Sequence, residues 1–277
     1  MDRYAVIGNP IAHSKSPQIH AAFASQSGQQ MQYEALLAPD DGFVDAVRKF
    51  RAEGGRGMNV TVPFKLEACA LADRRSARAE AAGAVNTLAF DADGIFGDNT
   101  DGAGLVRDLS AHWGCRLRGQ RILLLGAGGA TRGVLQPLLG CAPALLMIAN
   151  RTAGRAHELR AQFTPMAGCA VFAAGGFGDL RGERFDLVIN ATAASLAGEV
   201  PQLPPGIYLP DALAYDMMYG RGDTPFMQAA RRDGASRVAD GLGMLVEQAA
   251  ESFLLWRGVR PDTRPVLAEL RRHISAG

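Results

Sequence analysis

Apolar and polar positions alternate along this chain in two rhythms, and the change from one to the other marks its elements. Strand-length apolar runs occupy residues 4–7, 32–37 and 57–62, while helical spacing follows Pro17 and governs residues 41–51. In that second helix Phe43, Ala46, Val47 and Phe50 recur three and four apart, so they form its core face. Strand and helix in strict succession predict a mainly parallel α/β sheet. A second cycle begins after Gly119, with strands at 121–125, 145–149, 186–190 and 213–216 and helices after the first two. Residues 168–182 read as loop with a strand near 170–172, and 198–210 as a turn-rich loop. From Gly241, Met244, Leu245, Gln248, Ala249 and Phe253 keep helical spacing, and a short helix is expected after Pro265.

Two α/β cycles in 277 residues predict two domains. The expected boundaries are 1–101 plus 240–277 for an N-terminal, mainly parallel α/β domain completed by C-terminal helices, and 102–239 for a Rossmann-like dinucleotide-binding domain. Hydrophobic residues make up 48% of the chain, enough for a core in each. The formal charge of +1 supplies no long-range field for nucleic acid or an anionic membrane, so any anion site must be local. Apolar runs fall well short of the ~20 residues of a membrane span, and the N-terminus does not read as a signal peptide. Cys69, Cys115, Cys141 and Cys169 are scattered, apart from one another and from the five histidines. Buried reduced thiols in a cytoplasmic protein, with no metal, are therefore expected.

The chemistry concentrates at strand ends. Gly126-Ala127-Gly128-Gly129-Ala130-Thr131 separates a buried strand from a helix, where backbone N–H groups can approach a pyrophosphate; Thr131 stands where the G-x-G-x-x-G pattern ends in Gly or Ala. After the next strand comes Asn150-Arg151-Thr152, with no carboxylate for a ribose 2′-hydroxyl. Arg151 and Arg155 instead sit near a helix start, which repels cations unless a 2′-phosphate neutralises them, and this favours NADP over NAD. In the first half, Ser14-Lys15-Ser16-Pro17, residues 59–65, Asn86-Thr87 and Asp98-Asn99-Thr100-Asp101 fall where strands end, as a pocket for a polyhydroxylated ligand requires. Ser16-Pro17 reads equally as an N-cap with proline at the first helical position, or as a helix start receiving a carboxylate. Pro63 marks a first helical turn and puts the Lys65 ammonium at the positive end of the dipole, which disfavours its charge and suits proton exchange. Asp101 reads either as the cap of the following helix or as the partner of Lys65. Gly102, Gly104, Gly241 and Gly243 are candidate hinge glycines.

Taken in order, these segments resemble the shikimate dehydrogenases. The similarity rests on residues 7–17, 59–65, 83–87, 97–102, 126–130 and 150–152, with Tyr215-Asp216-Met217 and residues 240–246. It implies a catalytic Lys65 and Asp101, with Ser14, Ser16, Asn59, Thr61, Asn86, Tyr219 and Gln248 binding shikimate. It also implies an NADP site lined by Gly126, Ala127, Gly128, Gly129, Ala130, Asn150, Arg151, Thr152, Arg155, Thr192, Met217 and Gly241, with the substrate meeting the cofactor across an interdomain cleft. The expected reaction is reversible NADPH-dependent reduction of 3-dehydroshikimate to shikimate, on the way to chorismate and the aromatic amino acids, by a monomer or homodimer. One departure is visible: after Asn190-Ala191-Thr192 the family often has Ser, and this chain has Ala193. Two other readings are an NAD-dependent quinate/shikimate dehydrogenase and a non-catalytic nucleotide-sensing regulator; Arg151 and Arg155 weigh against the first, and the Lys65–Asp101 pattern against the second.

Overall fold

The computed structural model describes residues 1–192 and 199–276, which fall into two compact units. Unit 1 contains Met1–Gly104 and Leu245–Glu269, and unit 2 contains Leu105–Met244 and the residues from Leu270 onward. Thus unit 1 is discontinuous in sequence.

Unit 1 begins with β1 (Asp2–Gly8), α1 (Ser16–Ser27), β2 (Met31–Leu37), α2 (Phe43–Ala52), β3 (Gly55–Val60), α3 (Lys65–Leu71), β4 (Arg74–Arg75), α4 (Ala77–Ala82), β5 (Thr87–Asp91) and β6 (Gly94–Asp98). Helix α5 (Asp101–Ala111) opens at its end. The sheet order is β2-β1-β3-β5-β6-β4. β1 pairs in parallel with β2 and β3, but β5 runs antiparallel to both β3 and β6. This β5–β6 hairpin is absent from the sequence reading, because its short strands carry no sustained alternation beyond residues 87–91 and 94–98. Its effect on the site is large. Reversal of β5 brings its first residue to the edge where β3 and β6 end, with Thr87 opposite both Asn59 and Asp98.

Unit 2 holds β7 (Arg121–Leu125), α6 (Gly129–Gly140), β8 (Leu145–Ala149), α7 (Ala153–Phe163), β9 (Val171–Gly175), β10 (Phe185–Asn190), β11 (Tyr208–Asp216), α8 (Pro225–Arg232) and β12 (Arg237–Asp240). Its sheet, in the order β12-β11-β10-β7-β8-β9, is parallel throughout the described pairs. That is the doubly wound order in which the first strand sits beside the fourth, and ligands bind where the winding reverses. Helices α9 (Leu242–Arg257) and α10 (Thr263–Ala276) complete the described chain, none of whose helices is long and apolar enough to span a membrane.

Several local expectations need correction. Helix α1 is capped at Lys15, not Ser16, and the Ser14 hydroxyl accepts from the Ser16 N–H at 3.3 Å. Pro63 precedes the helix: it lies in a turn closed by Phe64 N donating to Thr61 O at 3.0 Å, and Lys65 is the first helical residue. Strand β11 starts at Tyr208, inside the expected loop, where Tyr208 pairs with Phe185 across a register shift. Helix α10 is 14 residues long, Pro265 lying in its first turn, where the missing N–H does no harm. None of the four thiols is fully buried, and Cys169 is exposed.

Each unit has its own core. Ile7, Phe43, Met58, Phe64 and Leu88 belong to the first; Leu123, Leu125, Phe185, Val188 and Phe226 belong to the second. Gly57 shows how closely α9 packs on the first sheet: a Cβ there would lie 2.4 Å from Trp256 Nε1 and 2.7 Å from the Leu88 carbonyl oxygen. Trp256 Nε1 itself donates to that carbonyl at 3.0 Å. Gly57→Ala is therefore expected to destabilise the protein by about 1–3 kcal/mol, the cost of overpacking. Chemical-denaturation midpoints check this, and an unchanged midpoint would mean that Trp256 can withdraw freely.

Candidate active site

In unit 1 the ends of β1, β3 and β6 and the start of β5 are tied by backbone bonds. Thr61 N donates to Ile7 O at 3.0 Å, Val60 N to Asn86 O at 2.8 Å, Asn86 N to Asp98 O at 3.0 Å, and Val85 N to Lys65 O at 2.9 Å. Within this frame Lys65 Nζ lies 2.6 Å from Asp101 Oδ2. Lys65 keeps 32% of its side-chain surface exposed and Asp101 14%, so the pair is half-sheltered and reachable. The other Asp101 oxygen accepts from Asn86 Nδ2 at 2.8 Å. Such an arrangement gives an ammonium one fixed acceptor, so its remaining N–H bonds have a defined direction.

Asn86 is 3% exposed, and its amide also donates to Thr100 Oγ1 at 2.9 Å and Gln248 Oε1 at 3.3 Å. Its oxygen accepts from Thr100 N at 2.9 Å and Thr87 Oγ1 at 2.9 Å. Asn59 is as fully bonded. Its Nδ2 donates to Ser252 Oγ at 2.9 Å and Thr87 Oγ1 at 3.1 Å, while Oδ1 lies 2.7 Å from Tyr33 OH and 3.2 Å from His20 Nε2. Because Nδ2 also faces the Asn86 carbonyl, Oδ1 must be the acceptor side. Tyr33 and the His20 Nε2–H are then both donors to it, and the Tyr33 oxygen is left to accept from the Ser16 hydroxyl.

These bonds connect Ser16, Asn59, Asn86 and Gln248 with the Lys65–Asp101 pair. Ser14 and Thr61 are half-buried, in the loops after β1 and β3. Tyr219, which is 38% exposed, belongs to unit 2. His20, Tyr33 and Ser252 are members of the network that the sequence reading missed, whereas Thr87 and Thr100 belong to the polar strand-end clusters it marked. Only Ser252 left a usable signal there, four residues after Gln248 and so on the same helical face.

In unit 2 the glycine turn follows β7 beside β10, where the winding reverses. Gly126 adopts φ +105°, a region open to glycine, and a Cβ at Gly128 or Gly129 would meet nothing within 4 Å. Thr192 closes one side: its Cγ2 lies 3.1 Å from the Cβ position of Gly126. Ala193 lies outside the described residues. Asn150 Nδ2 donates to Thr152 O at 2.9 Å, and Arg151 and Arg155 are exposed with no ion pair among the described residues. Gly241 approaches Met217 so closely that a Cβ would lie 2.2 Å from the Met217 carbonyl oxygen. An open glycine cradle, two guanidiniums unpaired among the described residues and no carboxylate in Asn150-Arg151-Thr152 after β8 fit a dinucleotide carrying an extra phosphate.

Family models match most of the chain. Residues 6–88 match the shikimate dehydrogenase substrate binding domain, 108–197 the shikimate / quinate 5-dehydrogenase model, and 241–271 the shikimate 5'-dehydrogenase C-terminal domain. The chain belongs to the shikimate dehydrogenase family. It is 69% identical, over 100% of its length and 99% of the relative's, to shikimate dehydrogenase (NADP(+)) of Aromatoleum aromaticum. Among solved structures of similar fold, an Ael1 enzyme from Pseudomonas putida superposes with TM-score 0.92 at 51% identity, covering 98% of each chain. The shikimate 5-dehydrogenase of Thermus thermophilus, solved with NADP(H) and shikimate, superposes with TM-score 0.85 at 34% identity, covering 98% of this chain and 99% of that one.

His20, at the back of this family member's polar network, is wholly buried, stacked on Tyr33 with ring centroids 4.2 Å apart. Burial drives its pKa down to about 3, against the smaller opposing effect of the Asn59 hydrogen bond. The folded state thus keeps His20 neutral, while the unfolded chain takes up a proton below about pH 6.5. Stability is fully retained above that pH and lost as the pH falls towards 3, by up to about 1.4 kcal/mol per unit from this group. His20→Phe should flatten the stability profile between pH 6 and 4 by about one proton. Urea unfolding at a series of pH values measures it; equal slopes in both proteins would show that His20 titrates alike in both states.

Proposed function

We propose that this chain catalyses the reversible, NADP-linked interconversion of shikimate and 3-dehydroshikimate, with Lys65 as the proton-transferring group. The observation that carries the reading is the 2.6 Å Lys65–Asp101 contact inside a network of hydroxyls and amides, in a chain whose relatives share the named activity over their full length. Lys65 hands a proton to the oxygen of the ring ketone as that oxygen gains charge, and withdraws it in the reverse direction. Asp101 fixes the direction of the amine, and Asn86 holds Asp101.

Ser14 and Ser16, at the start of α1, receive the substrate carboxylate beside the positive end of the helix dipole, Ser14 through its hydroxyl and Ser16 by turning its hydroxyl away from Tyr33. Thr61, Asn86, Tyr219 and Gln248 take the ring hydroxyls. Asn59, bonded like Asn86 to protein groups, binds the substrate as well and supports Tyr33 and Ser252 behind it. When bound, NADP supplies or accepts the hydride. Residues 126–130 cradle its pyrophosphate, and Asn150, Arg151, Thr152 and Arg155 hold the adenosine end. Thr192, Met217 and Gly241 line the remainder of that site. We place the activity in the cytoplasm, on the route to chorismate and the aromatic amino acids.

Lys65→Ala should lower kcat for shikimate oxidation about 10²–10⁴-fold, the usual contribution of a positioned proton-transfer group. KM for shikimate should change far less. Steady-state rates at saturating NADP decide this, and an undiminished kcat would remove Lys65 from the chemistry. Of the four pairings of shikimate or quinate with NADP or NAD, shikimate with NADP should be fastest. In Arg151→Ala, KM for NADP should rise on the order of tenfold, as loss of a charge-assisted contact implies, with KM for shikimate unchanged. A wild-type preference for NAD and quinate would reverse the assignment.

A further inference from the structure

Arg78 takes no part in the reaction just proposed, yet it joins the two pieces of chain that complete the site in unit 1. From the first turn of α4 its guanidinium grips Asp98 in a fork, Nε to Oδ1 at 2.7 Å and Nη2 to Oδ2 at 2.5 Å. Only 6% of the Asp98 side-chain surface is exposed. The same carboxylate accepts from the Ser76 hydroxyl and, at 2.7 Å, from Asn99 N. Asn99 passes the constraint on: its Oδ1 accepts from Asp101 N at 3.2 Å and its Nδ2 donates to Ala84 O at 3.0 Å. The arginine-held carboxylate and the one that meets Lys65 thus lie within a single short turn, and every step between them is hydrogen-bonded.

The other arm of Arg78 reaches α9. Its Nη1 lies 3.7 Å from Glu251 Oε2, and Glu251 also pairs with Arg260. Arg260 in turn lies 2.7 Å from Glu247 Oε2, whose other oxygen accepts from Thr263 Oγ1 at 2.6 Å. Glu247 and Glu251 stand one turn apart on α9 and bracket Gln248, the residue whose Oε1 meets Asn86. A planar fork can set the angle of a carboxylate, which a point charge does not do.

We infer that Arg78 is a positioning residue: it holds the Asp98–Asp101 turn and helix α9 in one register, so that Asp101 and Gln248 converge on Asn86. The inference rests on the proposed role of Lys65 and Asp101. A merely structural tie would change the folded fraction and leave turnover per folded molecule alone. A positioning role lowers kcat instead, because small displacements of an aligned group are costly to rate.

The test uses the full chain with Arg78→Lys, which keeps the charge but loses the fork, and Arg78→Met/Asp98→Asn, which removes the buried pair without leaving an unpaired carboxylate. Measured on each are kcat, KM for shikimate, KM for NADP and the thermal midpoint. In Arg78→Lys, kcat should fall about tenfold, with KM for NADP within about twofold of wild type. The double variant should regain the midpoint lost by Arg78→Met alone but not the kcat. Wild-type kcat in either folded variant overturns the inference. An inactive wild-type protein would instead defeat the proposed function, so the two failures are told apart by the control.

Discussion

A single buried carboxamide ties together the polar groups at one edge of the sheet in unit 1. Asn86 is buried, and its amide faces Thr100, Asp101 and Gln248 while its oxygen faces Thr87 and the Thr100 backbone. A buried amide with unmet donors or acceptors costs on the order of 1–3 kcal/mol for each, so the surrounding groups are held by the same requirement that holds Asn86. The Lys65–Asp101 contact is the outermost member of this set. Its geometry follows from the sheet edge behind it, where antiparallel β5 brings Asn86 between the ends of β3 and β6.

Apolar rhythm alone exposed most of the fold. β1, α2, β7, β8 and β10 each bury a regular stripe or a continuous run, so their composition tells where they go. The β5–β6 hairpin was hidden because its strands, TLAFD and GIFGD, lack the near-continuous apolar run of β7 and β8, and its importance lies in direction, which a hydrophobic pattern does not encode. The same limit applies to the site. Polar residues at strand ends stand out as candidates, but partners remote in sequence do not: His20 meets Asn59 across 39 positions, and Arg78 meets Glu251 across a far longer stretch. A buried histidine among Phe23, Tyr33, Phe253 and Trp256 has no signature beyond being apolar in context.

Charge is treated in opposite ways around Lys65 and at the end of β8. In unit 1 the basic groups around the site are matched: Lys65 with Asp101, Arg78 with Asp98, Arg260 with Glu247 and Glu251. Burial would raise the pKa of Asp98, but the hydrogen bonds and charge of Arg78, with Ser76 and Asn99, hold it below its usual value. At the end of β8 in unit 2, Arg151 and Arg155 stand unmatched among the described residues. Paired ions fix geometry, whereas exposed unpaired cations retain their attraction for an anion arriving from solvent.

Because Gln248 and Ser252 come from a segment separated from Asp101 by all of unit 2 up to Met244, synthesis order matters. As a nascent chain leaves the ribosome, the first sheet emerges with Asn59 and Asn86 lacking their α9 partners and with Gly57 still facing no indole. Completion of the polar network around the Lys65–Asp101 contact is thereby postponed until α9 has been made, so that a chain stalled before α9 would carry the polar strand ends without Gln248 and Ser252.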